Sequence, residues 1–139
     1  QNAIVAAKRA ARLDPKNPRI WNALAHLFLA GGRLEVAQSS FERALSLDPP
    51  NPSYHLGLAV CHFKAGDLDK VERSLDLVNR TSSSQSNYYR ACEKALRGHS
   101  DEAIRILKAA LLNQELLAPI LRRDPILQHI FGAEILKSL

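Results

Sequence analysis

The sequence lacks several features that would mark other classes of protein. It has only two cysteines and six glycines in 139 residues. Two cysteines cannot build a disulfide framework, and no metal or redox motif surrounds them, which favours a reducing, cytoplasmic compartment. No Gly-rich phosphate loop is present, so the chain has no sign of a nucleotide-binding enzyme.

Long apolar runs are also missing. The most apolar stretch, residues 20–30, carries Asn22 and His26 and is shorter than the roughly 18 residues that cross a bilayer. We therefore predict no membrane insertion. No signal peptide is visible, although the chain begins at Gln1 and a leader or a longer upstream region could have been removed.

Clustered charge is scarce, although the net charge is +5 and the pI about 9.5. The densest basic groups are Lys8 with Arg9 and Arg12, and Arg122 with Arg123. Nucleic-acid binders usually cluster their cations and interleave aromatic residues for stacking. Nucleic acid is therefore a disfavoured partner, and an RNA-binding helical repeat is kept as an alternative because of the net charge.

Catalytic constellations are absent as well. The acidic pairs Asp67 with Asp69 and Asp101 with Glu102 have an ordinary role at helix N-termini. A metal site could be imagined from Cys61 and nearby histidines, but the same spacing is required by helix packing, and no third ligand converges. We predict a non-catalytic protein with no cofactor and no metal.

The feature that is present is an internal repeat. The turn phrase formed by Leu13, Asp14, Pro15, Asn17 and Pro18 returns at a constant displacement as Leu47, Asp48, Pro49, Asn51 and Pro52. Between the two phrases lie two helical patterns joined at Gly31 and Gly32, so one unit reads helix, tight turn, helix. A constant displacement such as that from Leu13 to Leu47 is typical of solenoids.

Small and large apolar residues alternate within this unit so that its two helices can pack closely. The set resembles the tetratricopeptide repeat signature, and comprises Trp21, Leu24, Ala25, Phe28, Gly32, Ala37, Phe41, Ala44 and Pro49. The resemblance implies an all-α, right-handed solenoid of antiparallel helix hairpins. It also implies a scaffold that binds a peptide or helix of a partner protein in a concave groove.

The expected layout is a single domain that belongs to a longer protein. It has a half repeat at 1–17, repeats at 18–51 and 52–84, a degenerate repeat at 85–114 with a turn one residue shorter, and a terminal cap at 115–139. The cap should end in one helix that begins at Pro125 and is capped by Asp124. The half repeat leaves an apolar stripe, so we expect upstream continuation or self-association there.

The predicted groove lies on the first helix of each hairpin, on positions that face away from the second helix. An apolar centre with polar edges would suit a peptide. The residues are Asn22, His26, Leu29, Leu56, Val60, Phe63, Lys64, Tyr89, Arg90, Glu93 and Arg97. Packing between repeats is the competing role for Leu56 and Val60.

Two subclasses of the family offer narrower functions. One holds the acidic tail of heat-shock chaperones in a clamp of lysines, asparagines and an arginine, of which only Arg90 matches here. Asn22, His26, Gly57 and Ser86 occupy the other clamp positions, so tail binding is disfavoured. The other subclass, small secretion-type chaperones with about three repeats, is kept as an alternative.

Overall fold

The computed structural model describes residues 2–81, 86–113 and 117–139. The expected domain boundaries at 84–85 and 114–115 lie outside these residues. Helices and their connections make up the whole described part, which contains no strand, so the all-α prediction is confirmed. The chain forms two compact units, Gln1–Thr81 and Ser82–Leu139.

The first unit contains five helices, which are α1 (Asn2–Leu13), α2 (Pro18–Ala30), α3 (Leu34–Leu47), α4 (Pro52–Ala65) and α5 (Leu68–Thr81). The α2–α3 and α4–α5 pairs form helix hairpins. Helix α1 packs on α2, and α3 packs on α4, so consecutive hairpins are stacked in chain order. This arrangement is the one that a repeated helix–turn–helix unit predicts.

Helices α2 and α4 begin in the same way, with an equivalent side-chain hydrogen bond at each N-terminus. The Asn17 side chain accepts from the backbone N–H of Arg19 at 3.1 Å, and the Asn51 side chain accepts from that of Ser53 at 3.0 Å. In each case a proline follows at the first helical position, where its missing N–H leaves no intrahelical bond unmade. The Asn-Pro phrase therefore begins both α2 and α4 by the same mechanism.

The three hairpin turns are also alike. Gly32, Gly66 and Gly98 have φ values of 75°, 79° and 92°, which favour a residue without Cβ. The residue after each glycine donates its N–H to the carbonyl five residues earlier, at 2.9, 3.0 and 2.8 Å. All three turns therefore close with the same hydrogen-bond pattern, and the expected loss of one residue at the third turn stays a prediction. The shorter element is helix α6 (Asn87–Leu96), with 10 residues against 14 in α4.

The two hairpins of the first unit are in contact through the aromatic ring of Phe41 on α3. The Phe41 side chain is fully buried, and its ring lies against the backbone of Gly57 on α4. A Cβ at Gly57 would come within 2.3 Å of a Phe41 ring atom, so only glycine allows this approach. The fully buried Ala25, Ala37 and Ala44 permit the corresponding closeness around α2 and α3.

The second unit contains α6, α7 (Ser100–Asn113), α8 (Ala118–Arg123), α9 (Pro125–Phe131) and α10 (Ala133–Lys137). Helices α6 and α7 form its hairpin, and α9 also contacts α6. The Asp124 side chain accepts from the Leu127 N–H at 2.9 Å and from the Tyr88 hydroxyl at 2.8 Å. The predicted cap at Asp124 is confirmed, and it also ties the terminal segment to α6.

The terminal segment is not one helix as expected. Gly132 has φ 81° and ψ 158°, a conformation that is nearly restricted to glycine, and it separates α9 from α10. Beyond this break Ile135 is 41% exposed, while Leu136 is buried.

Candidate interaction surface

The predicted groove positions on α2 and α4 are structurally equivalent pairs, related by the same displacement that carries Gly32 to Gly66. They include Asn22 with Leu56, and Leu29 with Phe63. Three members of the predicted set are core residues, because Leu29, Leu56 and Val60 are at most 3% exposed. Nine consecutive residues of α4, Tyr54–His62, are buried, so this part of the helix is enclosed on all its faces. These three side chains are therefore not available to a partner in this conformation.

Four predicted residues of the first unit are accessible. Phe63 is 41% exposed and Lys64 is exposed, at the end of α4. Asn22 and His26 are half-buried one turn apart on α2. The His26 ring meets Phe41 edge-on, with centroids 5.1 Å apart. The Asn22 Oδ1 atom is buried and accepts no hydrogen bond in the described structure.

The four predicted residues of the second unit make local contacts. Arg97 Nε lies 3.2 Å from Glu93 Oε1, Arg90 donates to Asn87 Oδ1 at 3.3 Å, and the Tyr89 ring packs edge-on against Tyr88. Their role in binding stays a prediction.

The structure gives the third repeat a different register. Gly98 comes two positions earlier than the spacing between Gly32 and Gly66 would place it, while the buried residues of α6 repeat the spacing of those of α2, namely Ala91, Cys92, Ala95 and Leu96 for Leu24, Ala25, Phe28 and Leu29. By this burial pattern, Tyr89 and Glu93 of α6 correspond to Asn22 and His26 of α2.

His55 takes over a hydrogen bond that a tryptophan makes one repeat earlier. Trp21 Nε1 donates to the Pro15 carbonyl at 2.8 Å, and His55 Nε2 lies 3.0 Å from the Pro49 carbonyl. Both bonds hold the proline turn against the first helix of the hairpin. Among the described residues no group of three His, Cys, Asp or Glu side chains could hold a metal ion.

His62 replaces Phe28 in the second hairpin and is a titratable group in the core. Burial lowers its pKa, and the neighbouring Lys70 and Arg73 lower it further, whereas Asp67 and Glu42 oppose the shift. A buried histidine with a lowered pKa stays neutral in the folded chain at pH values where the unfolded chain binds a proton.

This difference predicts a pH-dependent stability. As the pH falls below about 6.5, the unfolded state takes up a proton at His62 that the folded state resists, so stability is lost. We expect His62→Phe, which copies Phe28, to reduce the drop in melting temperature between pH 8 and pH 5.5. The control is His99→Phe, at an exposed turn residue. An equal drop in wild type and His62→Phe would contradict the assignment.

Both thiols are buried and chemically quiet. Burial raises the pKa of Cys61 to about 12, with a further rise from Glu42 and a smaller opposing effect of Lys64. Burial also raises the pKa of Cys92, and Asp124 adds to the rise. Since the thiolate is the nucleophilic form, neither cysteine is poised for catalysis at neutral pH.

The chaperone-tail clamp meets a steric obstacle in addition to its missing residues. One clamp asparagine would occupy position 57, where even a Cβ overlaps the buried Phe41 ring. That asparagine could enter only if Phe41 moved, which agrees with the expectation that tail binding is disfavoured.

Helix hairpins stacked in chain order, with a glycine turn in each, define a helical repeat protein. The family model for the tetratricopeptide repeat matches residues 28–95. Over residues 28–95 the chain is therefore similar to tetratricopeptide repeats, in agreement with the resemblance seen in its sequence. Such repeats generally mediate protein–protein interactions and are typically non-catalytic.

Two other observations complete the comparison. No curated protein matches the chain. Within residues 2–81, 86–113 and 117–139, none of the helices has the length and apolar character needed to cross a membrane.

Proposed function

We propose that the first unit binds a peptide segment of a partner protein through Asn22, His26, Phe63 and Lys64, which we call the α2–α4 surface. The observation that carries the proposal is the exposure of Phe63. It follows nine consecutive buried residues, Tyr54–His62, and its equivalent Leu29 is only 3% exposed. A large aromatic side chain at 41% exposure offers a partner apolar area without disturbing the core.

Polar groups on the same two helices would give such a contact direction. Asn22 and His26 are half-buried polar residues of α2, and side chains of this kind can hydrogen-bond the backbone of a bound peptide. Lys64 adds a cation beside Phe63, which favours a carboxylate in the partner segment. An apolar anchor with polar neighbours is the usual composition of a peptide-binding surface.

Selection from a displayed peptide library would test this function. Peptides enriched on the wild-type chain should bind Phe63→Glu/Lys64→Glu at least about tenfold more weakly, since an apolar anchor and a charge pair are both lost. The matched control is Leu77→Glu/Arg80→Glu on α5, because Leu77 is similarly exposed at 39%. Circular dichroism should show that both variants remain folded.

Either of two results would overturn the proposal. One is failure to enrich any peptide, and the other is equal binding to the Phe63 and Leu77 double variants. Val60 is unsuitable for this test, because a glutamate at a residue that is 1% exposed would measure core stability rather than binding.

A further inference from the structure

We propose a second binding surface on the first unit, which takes an acidic peptide segment of another protein that carries an apolar side chain. The surface is a cleft of about 340 Å³ between α1, α2 and α3. Its lining includes Lys8, Trp21, Phe28, Arg33, Val36 and Ser39, and we call it the cation–aromatic cleft. None of these residues belongs to the α2–α4 surface.

The cations of this cleft are directed at aromatic rings. Lys8 Nζ lies 5.6 Å and Arg33 Cζ 5.4 Å from the centroid of the Phe28 ring. Arg43 lies on the neighbouring part of α3, and its Cζ atom is 5.9 Å from the centroid of the Trp21 ring on α2. In the described part of the chain, none of these three cations forms an ion pair with a carboxylate. Their positive charge is therefore not neutralised by the protein itself.

The second repeat provides an internal comparison at the same positions. There His62 replaces Phe28, and Glu42, Asp67, Lys70 and Arg73 all act on its charge. Lys70 Nζ lies 3.7 Å from Asp67 Oδ2. Carboxylates thus accompany the cations in the second repeat, whereas Glu42 and Asp67 are replaced by Lys8 and Arg33 in the first. The same backbone carries an excess of positive charge only in the first of these two copies.

The accessible apolar residues of the cleft favour a ligand that carries an apolar side chain in addition to negative charge. Trp21 is half-buried and Val36 is 37% exposed, so an apolar side chain can lie over them. Carboxylates of the same segment can reach Lys8 and Arg33, which are both exposed at the rim. A peptide is favoured over single-stranded nucleic acid because Phe28 is 2% exposed beneath its cations, and bases need accessible ring faces for stacking.

Trp21 provides a direct test, because it is the only tryptophan in the chain. The probe is a capped peptide, Asp-Glu-Glu-Leu-Phe-Glu-Asp-Glu, titrated at low salt against the whole chain while Trp21 emission is recorded. We expect a saturable change that weakens as salt is raised. Lys8→Glu/Arg33→Asp, which copies the second repeat, should weaken binding at least about tenfold. Lys8→Gln/Arg33→Gln should weaken binding less. This variant replaces the charge-reversal variant in the titration if charge reversal disturbs folding.

The controls separate this cleft from general charge and from the α2–α4 surface. Arg80→Asp/Arg105→Glu removes the same net charge at exposed residues elsewhere and should bind as wild type does. Phe63→Glu/Lys64→Glu should also retain binding, so the two proposals can fail separately. The inference is overturned if the peptide causes no change or if its Asn/Gln analogue binds equally well. Equal binding by the Lys8 and Arg33 variants, or tighter binding of an oligouridylate at the same cations, would also overturn it.

Discussion

Replacing Ala25 with arginine should unfold most of the first unit's hairpin stack. The Ala25 side chain is fully buried in α2, where its small size lets neighbouring helices approach closely. An arginine there would need both new volume and a partner for a buried charge, and the combined cost is more than about 4 kcal/mol. Because a domain of this size is stable by only about 5–15 kcal/mol, helical circular dichroism should fall substantially at 25 °C.

Ala23→Arg is the matched control for this change. Ala23 lies two residues earlier on the same helix and is exposed. Arginine is a good helix former, so this substitution should alter the free energy of unfolding by less than about 0.5 kcal/mol. An unchanged melting temperature for Ala25→Arg would mean that α2 packs through a different face.

Gly57→Ala should destabilise the chain although alanine is the better helix former. Helix propensity alone would favour alanine by about 1 kcal/mol. Against this, the new Cβ would lie 2.3–2.7 Å from three ring atoms of Phe41, whose side chain is fully buried. Overpacking of this kind costs about 1–3 kcal/mol, and we expect the clash to exceed the propensity gain.

Two further variants make the test specific. At Gly31 a new Cβ would meet only backbone oxygens at 3.6 and 3.7 Å, so Gly31→Ala should be neutral or stabilising. Combining Gly57→Ala with Phe41→Leu should give a smaller loss than the sum of the single changes, since the clashing ring is gone. Strict additivity in denaturant unfolding would show that the Phe41–Gly57 contact does not limit position 57.

Local patterns predicted the elements of the first unit accurately. Helices α2 and α3 are joined at Gly31 and Gly32, as the sequence indicates. Proline at the first helical position, the Asn17 cap and the glycine turns act within a few residues of each other, so their consequences can be deduced without tertiary information. The cap at Asp124 was predicted for the same reason.

Predictions that depended on burial were less successful. Leu56 and Val60 occupy the positions equivalent to Asn22 and His26, yet they are core residues. Helical periodicity places a residue on a face, but it does not say whether another element covers that face.

The amino-acid sequence by itself determined the hairpin, its period, its caps and its turns, since these depend on interactions between near neighbours along the chain. The tertiary structure alone decided that Gly57 must admit the Phe41 ring and that Phe63 stays exposed. It also decided that Lys8 on α1 and Arg33 in the turn before α3, which are far apart in the sequence, meet over one ring. These facts depend on which helices pack together, and packing joins residues that no local pattern connects.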